Sequence, residues 1–76
     1  MAAAAAPGSA AARLEQASRR VDVGEGATAI AELTALRADA AATPEQRDQA
    51  ALTLAHALEA KGDERGAVQV LTELIT

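Results

Sequence analysis

The chain contains no cysteine, phenylalanine, tryptophan or tyrosine, and only one histidine. Without a thiol there is no disulfide framework, thiolate metal site or cysteine nucleophile, and nothing marks the redox compartment. Without aromatic rings, base stacking, cation–π cages and the aromatic anchors of strong interaction hot spots are all unavailable, which argues against single-stranded nucleic-acid binding. No apolar run approaches the roughly 18 residues that a membrane span requires. The segment Met1–Gly8 lacks the basic start and leucine-rich centre of a secretory signal. It shares alanine, serine and arginine content with transit peptides but is shorter and less basic, so the cytoplasm is the default expectation.

Residues that carry chemistry are equally sparse. A lone His56 excludes a His-paired metal site, and its one acidic neighbour at helical spacing is Glu59, a pairing usual for a helix surface. Ser9 reads as a helix cap and Ser18 as a helix-surface residue, neither as a nucleophile. Gly24 and Gly26 form a G-x-G, but a phosphate cradle comes after a strand, and a helix precedes these glycines. Asp-x-Asp calcium loops are missing. The sequence thus offers no catalytic, cofactor-binding or metal-binding residue, and an enzyme is the least expected class.

Half the chain is hydrophobic, but most of that is alanine, which favours helix strongly and buries little. The large aliphatic side chains are few, so the sequence predicts high helicity, shallow packing and a core that gains from a partner surface. The net charge is −4 and unevenly placed. Arg13, Arg19 and Arg20 against Glu15 give +2 over residues 1–20, leaving −6 for the rest. An acidic body repels phosphate, and the arginines read as a solvated helix face or a contact for an acidic partner.

In chain order, the alanine run ends at Pro7-Gly8, so residues 1–8 read as a disordered tail, and Ser9 is positioned to cap the first helix. From Ala10 to about Val21, Leu14, Ala17 and Val21 recur at helical spacing. A turn at Asp22–Gly26 leads to a second helix over about Glu25–Ala40, with Ala29, Ile30, Leu33 and Leu36 on one face and Glu32 and Asp39 away from it. Thr43-Pro44-Glu45-Gln46 is the clearest start signal in the chain. Thr43 is the N-cap, Pro44 takes the first helical position, and Gln46 closes a capping box. That third helix runs to about Ala60, where Lys61-Gly62 ends it. Asp63 then caps a fourth helix, on which Ala67, Val68, Val70, Leu71, Leu74 and Ile75 span an arc of roughly 160° at 100° per residue. Such an arc is wide for one neighbour, and it points to an inner contact plus an outer association surface at Val68 and Ile75. The expected fold is all-α, with four helices as two antiparallel hairpins over residues 9–76.

The two hairpins carry an internal repeat. Gly24 stands to Ala29, Ile30, Leu33 and Leu36 as Gly62 stands to Ala67, Val68, Leu71 and Leu74, an offset of 38 residues. On the first helix of each pair the offset drops by one, aligning Leu14, Ala17 and Val21 with Ala51, Leu54 and Leu58, and predicts a turn one residue shorter in the first unit. The second hairpin, through Ala51, Leu54, Ala55, Leu58, Ala67, Leu71 and Leu74, resembles a unit of the tetratricopeptide family. The spacing matches throughout; every aromatic of the family pattern is missing, and Ala55 stands where its glycine would be. The resemblance implies a two-unit solenoid fragment, about 9–42 and 43–76, that works as a protein–protein interaction module of scaffold, adaptor or co-chaperone type. It further implies a concave face on the first helices that grips a peptide, here Leu14, Ser18, Gln49, Leu52, His56 and Glu59. The alternatives are an obligate self-associating helical protein and a small acidic, antitoxin-like regulator of a basic protein. A cheap discriminator is mass as a function of concentration.

Overall fold

The computed structural model describes residues 9–75; the tail expected at 1–8, and Thr76, lie outside the described residues. Four helices succeed one another, α1 (Ala10–Asp22), α2 (Gly26–Arg37), α3 (Pro44–Ala60) and α4 (Glu64–Ile75), with no strand among the described residues. The capping chemistry fixes where each begins. Ala12 N donates to Ser9 Oγ at 3.2 Å. At α3 the box is complete, with Gln46 N donating to Thr43 Oγ1 at 3.1 Å and Thr43 N donating to Gln46 Oε1 at 2.9 Å. Gly66 N donates to Asp63 Oδ1 at 2.9 Å to start α4. Gly24 and Gly62 hold φ of 84° and 86°, a left-handed conformation that a Cβ disfavours, and so end α1 and α3.

The connections α1–α2 and α3–α4 are three residues long, so each pair is an antiparallel hairpin. α2 packs on α3, and α1 touches both α2 and α3, whereas α4 packs on α3 and meets α2 through the Arg37–Glu73 ion pair at 2.9 Å. The element bounds reproduce the internal repeat from the end of the first helix onward: α2 and α4 are both 12 residues long and offset by 38 at both ends, and the last residues of α1 and α3 are also 38 apart, whereas their first residues are 34 apart. The turn expected to be one residue shorter in the first unit is therefore the same length. The one-residue difference on α1 is a rotation of the helix, which turns Leu14, Ala17 and Val21 inward.

Alanine dominates the core. Leu33 and Leu36 are the largest fully buried side chains, surrounded by Ala17, Ala29, Ala50, Ala51, Leu54, Ala55, Ala57, Ala67 and Val70. Four expectations need correction. α2 stops at Arg37 rather than Ala40, because Asp39 turns the chain there: Ala41 N donates to Asp39 Oδ1 at 2.9 Å. On α4, Leu71 lies in the exposed range and Val70 takes the inward position, since a helix packed mainly on one neighbour buries a narrow stripe. The arginines of α1 are not a free basic face. Arg13 pairs with Asp39 at 2.7 Å, Arg20 with Glu32 at 2.9 Å and Glu25 at 3.2 Å, and Arg19 with Glu15 at 2.6 Å. Glu32 and Asp39, read as pointing away, are half-buried and hold α1 against α2 and the α2–α3 connection.

Candidate interaction groove

Where α1 and α3 lie side by side, a groove of about 270 Å³ opens between them. α1 supplies Ser18, Val21 and Asp22; α3 supplies Gln49, Leu52, Thr53 and His56. The spacing explains the alignment, because residues three and four apart share a helix face and both sets recur in that way. Leu52 is 46% exposed, an apolar side chain set among polar ones. Thr53 Oγ1 donates to Gln49 O at 2.9 Å, which leaves the hydroxyl oxygen able to accept from a ligand.

Of the six residues expected to bind a partner, the groove brings together Ser18, Gln49, Leu52 and His56. Leu14 is half-buried and packs on the core, one turn below the groove. Glu59 is exposed on α3 but outside the lining. Val21, Asp22 and Thr53 line the groove without a sequence signal of their own for binding. Asp22 and Thr53 stand four residues after Ser18 and Gln49, so their place on the groove becomes readable once α1 and α3 are known to be neighbours.

The groove walls are held by the ion pairs of α1. Asp39 is the best-placed acceptor: the Ala41 amide and then the Arg13 guanidinium hold its carboxyl below the usual carboxylate range, with a smaller contribution from Arg47. This contact links the start of α1 to the α2–α3 connection and so fixes α1 relative to α3. At the other end of the molecule, Val68 is 62% and Ile75 85% exposed, with Leu71 between them at 38%. At spacings of three and four they form one apolar stripe beside the buried face of α4.

No group of three or more His, Cys, Asp or Glu side chains suited to a metal ion occurs among the described residues. No helix there is long and apolar enough to cross a membrane. No protein-family model, curated protein or solved structure matches this chain.

Proposed function

We propose that this chain is a helical protein–protein interaction module of the tetratricopeptide kind, with the α1–α3 groove as its binding face. The observation that carries the reading is Leu52, an exposed leucine in a groove whose other α3 residues are polar. About half of the Leu52 surface stays open to solvent, area that a protein or peptide ligand would cover. The repeat-like match in element bounds between the two hairpins, and a binding face formed by the first helix of each, support the same reading. A scaffold, adaptor or co-chaperone role in the cytoplasm is the setting proposed for it.

The α4 stripe supports a second reading, self-association. The exposed face of α1 is mostly polar at Glu15, Gln16, Ser18 and Arg19, so it offers α4 little in a head-to-tail array. An antiparallel two-fold pairing instead sets Val68 against Ile75 of a second copy and Leu71 against itself. Val68→Glu with Ile75→Lys then makes the chain strictly monomeric in sedimentation. A wild type that is monomeric at millimolar concentration sinks this second reading.

Affinity capture separates the two. Loss of a retained protein with Leu52→Ser alone supports the groove, and loss with the α4 double variant alone supports the stripe. A partner held equally by both variants overturns both readings.

A further inference from the structure

The charges around the groove restrict what enters it. The three arginines of α1 are all engaged with carboxylates of α1, α2 or the connections beside them. Asp22 lines the groove without a cation beside it, and among the described residues no ion pair is made by Glu45, Asp48 or Glu59 either. At 100° per residue, Glu45, Asp48 and Glu59 all lie within about 40° of Leu52 around α3. All three are exposed. Asp22 is also the last residue of α1, where the negative end of the helix dipole adds to its own charge instead of offsetting it. Asp22 is thus the carboxylate in the groove lining, and Glu45, Asp48 and Glu59 extend along the same face of α3 as Leu52, none of the four in an ion pair.

We infer that the α1–α3 groove selects a protein segment in which lysine or arginine flanks an aliphatic residue. The aliphatic side chain packs on Leu52 and Val21, and the cations meet Asp22 on the α1 wall and Asp48 beside Leu52 on the outer edge of α3, just outside the lining. Acidic peptides and nucleic acids are repelled by the same charges. The inference rests on the groove reading above and adds the sign of the ligand's charge to it.

The test uses two labelled peptides, (Leu-Lys-Lys-Leu)3 and its acidic counterpart (Leu-Glu-Glu-Leu)3, in anisotropy titrations against the full chain at physiological salt. The basic peptide is expected to bind and the acidic one not to. Asp22→Asn with Asp48→Asn weakens the basic peptide about tenfold, the combined effect of two partly exposed ion pairs. Glu64→Gln with Glu73→Gln, the same change in net charge on α4, weakens it no more than about twofold. Equal loss in both double variants, or acidic binding as tight as basic, overturns the charge inference and leaves the groove standing. Failure of both peptides to bind, or basic binding that Leu52→Ser leaves unchanged, overturns the groove reading and the inference with it.

Discussion

Replacing Ala55 by leucine tests how α4 is attached. α4 packs mainly on α3, with α2 reaching it through the Arg37–Glu73 ion pair, and Ala67 and Val70 keep only 2% and 6% of their surface exposed. Ala55 on α3 retains 4% exposure and belongs to the same core. A leucine at this buried position must displace its neighbours or leave its rotamer, at about 1–3 kcal/mol. In a domain of this size each kcal/mol moves the melting temperature by about 4–8 °C, so a fall of about 5–20 °C is expected in thermal circular dichroism. Ala31→Leu makes the same chemical change on an exposed position of α2 and is expected to stay within about 0.5 kcal/mol. An Ala55→Leu melting temperature within about 2 °C of wild type, or an equal fall in Ala31→Leu, would refute close α3–α4 packing through small residues.

Thr43→Ala removes the hydroxyl half of the α3 capping box and should cost about 0.5–2 kcal/mol in urea unfolding; an unchanged midpoint contradicts the cap's role. Asp39 has a lowered folded pKa, so its contribution is complete above the ordinary aspartate value of about 3.9 and is lost as pH falls through the folded value. Asp39→Asn should lower stability at neutral pH and flatten the acid limb, and an acid limb identical to wild type speaks against it. Gly24→Ala meets no atom within 4 Å, so its expected cost of about 1 kcal/mol comes from the φ of 84° alone. A stabilising effect in chemical denaturation would show that the turn is not left-handed.

The helices were legible because their signals are local. Ser9, Thr43-Pro44-Glu45-Gln46, Gly62 and Asp63 each act within one turn of themselves, and the structure places caps and stops there. Ion pairing was not legible, because the Arg13–Asp39 and Arg37–Glu73 contacts join residues 26 and 36 positions apart. Periodicity alone assigned Glu32 and Asp39 to solvent. The inward choice on α4 also escaped the sequence, since Val70 and Leu71 are equally apolar and only the position of α3 decides between them. Part of the groove was visible at Ser18, Gln49, Leu52 and His56 through the resemblance. Asp22, which gives the groove its sign, becomes meaningful only when α1 lies beside α3 and its arginines are seen to be occupied elsewhere.

The most direct test of the binding face is an amide chemical-shift map of the full chain titrated with (Leu-Lys-Lys-Leu)3. The groove reading predicts that shifts concentrate on Ser18, Asp22, Gln49, Leu52 and His56, and that Leu52→Ser abolishes them. Shifts centred on Val68, Leu71 and Ile75 would contradict it.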